Sequence, residues 1–149
     1  MGAAYVGDLL RLPVRLRGIQ LGRPVDVIFD RERRRALGLE VHCGDEERRF
    51  LPFAVTTRGS QEISISSSFM LLDESELRFY TDRGATFASV RGSVVERAGR
   101  RLGELVDLRL DSDGAIDELV VRSAAGQVAI PYDDSMRLLP RGGGVRAAS

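Results

Sequence analysis

Lysine is absent from this chain: all 22 basic residues are arginine. An arginine-only surface carries planar donor forks that stack well. The arginines are scattered along the sequence, however, and read most simply as the codon preference of a GC-rich genome. Cysteine and histidine occur once each. A lone Cys43 excludes an internal disulfide framework and a cysteine-based zinc site, and a lone His42 argues equally against a histidine-rich metal site. The 22 acidic residues cancel the basic ones, so the general electrostatic footprint of a nucleic-acid or anionic-membrane protein is missing. No apolar run is long enough to cross a bilayer, and no charged-then-apolar leader opens the sequence. The expected location is cytoplasmic.

What is present is enough hydrophobic residue, 43%, for a packed core, and a repeat. Gly18, Leu21, Gly22, Val25, Asp26 and Asp30 align without gaps on Gly99, Leu102, Gly103, Val106, Asp107 and Asp111. After one deletion Ala36, Leu39 and Val41 meet Ile116, Leu119 and Val121. After another, Leu51-Pro52-Phe53 meets Ile130-Pro131-Tyr132. Glycines, acids and a proline in the same order at nearly the same spacing mark an internal duplication.

Each copy reads as short strands broken by turn signals. Strands over 14–17 and 94–97 open the units. The Gly18/Gly22 and Gly99/Gly103 pairs are expected to supply the tight hairpin after them. Strands follow over 25–30 and 105–111, with the turn 31–35 in the first copy and Ser112-Asp113-Gly114 in the second. Third strands over 36–42 and 116–122 lead to fourth strands that end at the Pro-aromatic steps, and fifth strands are expected over 62–66 and 136–139. Between the copies Asp73 and Glu76 form a capping box for a short helix reaching about Tyr80, with Gly84 as its stop. The first few residues and 141–149 are expected to fray.

The frame Leu-Gly-x-x-Val-Asp, a strand ending in Asp, a turn, a second strand and Pro-aromatic resembles the PRC-barrel domain. The resemblance implies an all-β chain of two tandem small PRC-type β-barrels, over 8–72 and 87–140, joined by a short helical or irregular connector over 73–86. PRC-barrel domains are docking modules. They form the cytoplasmic domain of the H subunit of purple-bacterial reaction centres and the C-terminal half of the maturation factor that assists small ribosomal subunit assembly. The family implies no catalytic residues and no cofactor. The H subunit is anchored by a membrane helix that this sequence lacks, and the maturation factor carries a different N-terminal barrel. Arg78-Phe79-Tyr80-Thr81-Asp82 is similar to that factor's aromatic-acidic linker.

No group of residues here reads as catalytic, cofactor-binding or metal-binding. Asp26 with Asp30, and Asp107 with Asp111, are four apart on a strand and so about 13 Å apart, too far to work as an acid–base pair. Asp26 and Asp107 are read as acceptors of nearby backbone amides, and Asp30 and Asp111 as turn initiators. Asp111-Ser112-Asp113-Gly114 is a hairpin turn rather than a calcium loop. His42 and Cys43 are strand neighbours, so they point to opposite faces and form no nucleophilic pair. Phe53 and Tyr132 are expected at the barrel rim or core. Phe69, Phe79, Tyr80 and Phe87 either wedge between the barrels, the simpler reading, or form a partner patch.

The densest basic turn, 31–35, reads most simply as a solvated hairpin loop. As the alternative, Arg31, Arg33, Arg34 and Arg35 form a knob that contacts RNA phosphate or an acidic partner surface, and these four with Phe79 and Tyr80 in the connector are the candidate partner-binding residues. The expectation is a non-enzymatic docking protein with a protein partner. An RNA- or ribosome-associated factor is the second reading, and a further copy of the chain is another candidate partner.

Overall fold

The computed structural model describes residues 2–139; the tail expected to fray lies outside them. Within them the chain is predominantly β, in two sheets. The first copy supplies β1 (Ala4–Tyr5), α1 (Val6–Leu9), β2 (Val14–Leu16), β3 (Ile19–Phe29), β4 (Ala36–Cys43), β5 (Arg48–Pro52), β6 (Thr57–Arg58) and β7 (Ile63–Ser64). Helix α2 (Glu74–Arg83) connects to β8 (Ala85–Thr86), α3 (Phe87–Val90), β9 (Val94–Arg97), β10 (Arg100–Leu110), β11 (Ile116–Ser123), β12 (Gly126–Pro131) and β13 (Met136–Leu139). One sheet has the order β5-β4-β3-β2-β7-β6 and the other β12-β11-β10-β9-β13. Neither closes on itself through strand pairing among the described residues, so the pairing does not supply the expected barrel closure.

Every element of the repeated frame has an assignable cause. Arg17-Gly18 and Ala98-Gly99 are the two-residue loops, with φ of 50° and 81° in one and 52° and 80° in the other. Two consecutive positive φ angles match the twist of the flanking strands, and glycine adopts them freely. The second glycine of each pair is not part of the turn, contrary to the sequence reading. Gly22 lies inside β3, where a methyl group would sit 2.6 Å from the His42 carbonyl oxygen and 2.9 Å from Val41 Cγ1. Gly103 meets the Arg122 carbonyl oxygen at 2.4 Å and in addition holds a φ of 146° that glycine adopts most easily. Close approach of the neighbouring strand therefore fixes these positions, and the long strands run through them.

Both long strands are bulged at matching places. The β2–β3 and β9–β10 ladders slip at Leu21 and Leu102, and the β3–β4 and β10–β11 ladders at Val25 and Val106. An extra residue bends the strand and re-aims the side chain after it. Here the re-aimed residues are Asp26 and Asp107.

The segments before the hairpins are exchanged between the halves. Strand β1 pairs with β10, Ala4 opposite Leu110, and β8 pairs with β3, Ala85 opposite Phe29. In the gap-free alignment Ala4 corresponds to Ala85 and Leu110 to Phe29, so the two exchanges are the same contact made twice. The first residues are thus ordered from Ala4 rather than frayed. Val6, Leu9, Phe87 and Val90 enter one buried cluster that contains Leu39 and Val41 of the first sheet and Leu119 and Val121 of the second.

The copies differ after the Pro-aromatic step. In the first, β7 is shorter than expected and runs parallel to β2, whereas β13 runs antiparallel to β9. The connector helix forms as read, with Asp73 accepting the Ser75 and Glu76 amides and Gly84 ending it. No helix among the described residues is long and apolar enough to cross a membrane.

Leu9 is 2% exposed in the shared cluster. Leu9→Ala is expected to lower the unfolding free energy by about 2–5 kcal/mol and to shift a single cooperative denaturation curve. A curve splitting into two steps, with one unmoved, would contradict the shared core.

Candidate docking surface

The carboxylates of the Val-Asp steps are structural clasps. Asp26 Oδ1 accepts the Val27 amide at 2.8 Å and the Ala88 amide of α3 at 3.2 Å. Asp107 Oδ1 accepts the Leu108 amide at 2.8 Å and the Gly7 amide of α1 at 3.1 Å. The sequence reading of amide acceptors holds, but one amide in each case comes from the other half of the chain. Burial raises the pKa of both carboxyls, and the amide donors offset this only in part. Asp30 and Asp111 cap their turns as read, accepting from Arg34 and from Asp113 at 2.7 and 2.8 Å.

The two turns meet each other. Arg35 bridges Ala115, the Ala36 amide donates to the Gly114 carbonyl at 2.7 Å, and the Ile116 amide to the Arg34 carbonyl at 2.8 Å. Ala36 and Ile116 are equivalent positions, so a pseudo-twofold axis passes through this bridge. The Pro-aromatic residues lie beneath it, each against the opposite turn. Phe53 lies under Gly114, where an added methyl would approach its ring to 2.9 Å. The Tyr132 hydroxyl donates to the Arg33 carbonyl at 3.1 Å. Each ring carries a guanidinium, Arg58 over Phe53 at 4.1 Å and Arg34 over Tyr132 at 4.2 Å.

The basic turn is thereby divided. Arg34 donates to the Asp133 and Met136 carbonyls, both at 3.0 Å, and Arg35 to the Asp113 carbonyl at 2.8 Å. These two hold the halves together. Arg31 is exposed and Arg33 half-buried, and both line a cleft of about 440 Å³ with Tyr132 and Arg137.

The connector aromatics also separate. Tyr80 stacks on Phe50 with ring centroids 4.3 Å apart, and together with Leu77 it covers the outer face of the first sheet, where Ile28 and Phe50 lie. Phe79 is 45% exposed, lies edge-on to Tyr80, and is covered on one side by Arg83. Phe87 is in the shared core. The four do not form one wedge, nor one patch.

Phe69 is the outlier. It sits in a single 3-10 turn, Ser68–Met70, capped by Ser67, and is 90% exposed. It borders a cleft of about 520 Å³ with Leu21, Leu71 and Gly44. The rim is polar: Arg49 donates to both Asp45 oxygens at 3.0 and 2.8 Å. That pairing, aided by the Glu47 amide, holds the Asp45 carboxyl down at about 2. Cys43 is buried at the cleft floor, and His42, on the opposite side of the strand, faces Glu46 at 3.2 Å. The sequence ranked Phe69 only among the connector aromatics. The run Ser66-Ser67-Ser68 before Phe69 was the available local signal of a turn, and Ser67 there caps it by accepting the Phe69 amide at 3.1 Å.

No protein-family model matches this sequence, and no curated protein matches it.

Asp26→Ala or Asp107→Ala orphans amides from both halves and is expected to cost about 1–3 kcal/mol each. Asn at either position keeps an acceptor and removes the titration. Because the folded pKa is raised, the native state holds a proton more readily than the unfolded chain. The stability this contributes is full below the ordinary carboxylate range and is lost as pH rises through the raised pKa. Denaturation across acidic pH should therefore show the Asn variants gaining on the wild type as pH rises. A wild type that gains on them instead would contradict the assignment.

Proposed function

We propose that this chain is a non-enzymatic docking protein built from two PRC-type barrel units, receiving an apolar segment of a protein partner at the Phe69 end of the first unit. The exposure of the Phe69 ring beside a cleft with a polar rim carries the reading. A ring that is 90% exposed gains free energy when a partner covers it, and an aromatic anchor inside a polar rim is the usual anatomy of a protein interface. The fate of the other reactive groups supports it too. Asp26, Asp107, Asp30 and Asp111 hold backbone amides, and Arg34 and Arg35 hold the halves together. A duplicated scaffold stiffened in this way presents its loops at fixed separation, which suits docking.

A second reading, an RNA- or ribosome-associated factor, draws on Arg31, Arg33 and Arg137 around the seam cleft. Phosphate contacts by such a group would be strongly salt-dependent. With Arg34 and Arg35 engaged in the fold, the remaining charge is small, and the protein-docking reading is preferred.

Phe69→Ser is expected to leave the melting temperature unchanged and to abolish capture of the partner that wild-type protein retains from host extract, with the loss reproduced by titration against that purified partner. Equal affinity of the two proteins would refute the docking site. For the second reading, Arg31→Ser with Arg33→Ser should weaken RNA retention in a low-salt filter assay and flatten its salt dependence. Wild-type protein that retains no RNA would end it.

A further inference from the structure

The pseudo-twofold symmetry is broken at one exposed edge. In the first sheet the outer strand is β5, and its free edge is taken up within the chain. Phe50 donates its amide to the Leu72 carbonyl at 3.0 Å and accepts the Leu72 amide at 2.8 Å, an antiparallel bridge. The corresponding strand of the second sheet is β12, and Ala129 stands where Phe50 stands. β12 has β11 on one side and no strand on the other among the described residues.

The register fixes which groups face outward. Antiparallel residues alternate between those that exchange hydrogen bonds with the neighbour and those that turn them away. Tyr132 donates its amide to Asp117, so Ile130 and Val128 point inward along the β11 ladder, and Gln127 and Ala129 present N–H and C=O to the open side. Pro131 is outward-facing and has no N–H, which ends pairing there. The strand Gly126-Gln127-Val128-Ala129-Ile130-Pro131 carries no charge. Val128 at its centre is 56% exposed. Natural edge strands are commonly protected by charge or by a covering segment; among the described residues this one has only the terminal proline.

We propose that the β12 edge is a self-association surface, on which a second copy of this chain adds its own β12 antiparallel across a twofold axis. The occupant follows from complementarity. With Val128 opposite the partner copy's Val128, the N–H groups of Gln127 and Ala129 on each strand meet the carbonyls of Ala129 and Gln127 on the other. The proline falls outside the paired stretch. Centring on Ala129 instead would put the proline opposite Gln127 and leave the Gln127 carbonyl without a donor. An uncharged strand on a chain of zero net charge brings no repulsion to its own copy, and a twofold interface needs only one self-complementary patch. The Phe50–Leu72 bridge shows the same mode of edge pairing satisfied inside the chain.

Sedimentation equilibrium of the full chain tests this, with Val128→Glu, Val128→Arg and their equimolar mixture. The exposed site should tolerate both substitutions with unchanged melting. The wild type is expected to dimerise. Each variant alone places like charges opposite one another and should dimerise about tenfold more weakly or not at all, and the mixture should recover dimer. A wild type that stays monomeric at the highest attainable concentration overturns the proposal. So do variants that dimerise as well as the wild type, and so does a mixture that stays monomeric.

Discussion

Two carboxylates, Asp26 and Asp107, each hold a backbone amide from a short helix belonging to the other half of the chain. The bulges at Val25 and Val106 aim them there, and the exchanged strands β1 and β8 run beside them on β10 and β3. Much of the architecture follows from this pair of contacts. Because each half contributes a strand and a helix to the other, the buried side chains form one cluster across both halves. Because that cluster is shared, the turns at Arg35 and Ala115 can meet on the pseudo-axis, and Phe53 and Tyr132 can each lie under the opposite turn.

Symmetry then makes the differences informative. The outer face of the first sheet carries Ile28, Leu37 and Phe50, and α2 covers it with Leu77 and Tyr80. Gly38 leaves room for the Phe50 ring. At the corresponding places the second sheet has Arg109, Asp117, Ala129 and Glu118. Arg109 pairs with Asp117 at 3.0 Å and Glu118 at 3.2 Å, and Tyr5 donates to Glu118 at 2.7 Å. An apolar face needs a cover and a polar one does not. The connector helix therefore lies on the sheet whose outer face is apolar, and β12, with no strand on its outer side among the described residues, belongs to the sheet whose outer face is polar.

The sequence made the hairpins legible because their signals are chemical and local. Asp113-Gly114, Asp30 and Asp111, the Pro-aromatic steps and the Asp73 cap each have a single low-cost geometry. Gly22 and Gly103 were misjudged because a glycine signals a turn and a close approach equally well: Gly22 answers only to the neighbouring strand, while Gly103 answers to it and to a φ of 146° inside the strand. The exchange was hidden for a different reason. Its segments share apolar positions, Val6 with Phe87 and Leu9 with Val90, but no glycine, proline or acid to set a register. Nothing in a sequence states which of two equivalent long strands a short strand will join. The basic turn looked like a binding knob because charge density is visible in sequence, and the carbonyls that engage Arg34 and Arg35 lie far along the chain. Phe69 was undervalued because aromatic residues are buried more often than not, and its exposure depends on a single turn.

Native-state amide exchange at Gly7 and Ala88 tests the reciprocal clasp most directly, since these amides report whether each helix stays on the opposite half. If the halves are one body joined by the exchange, both should exchange with the free energy of global unfolding, matching core amides such as Leu39 and Leu119. Exchange of Gly7 or Ala88 through a much smaller local opening, with the core still protected, would contradict it.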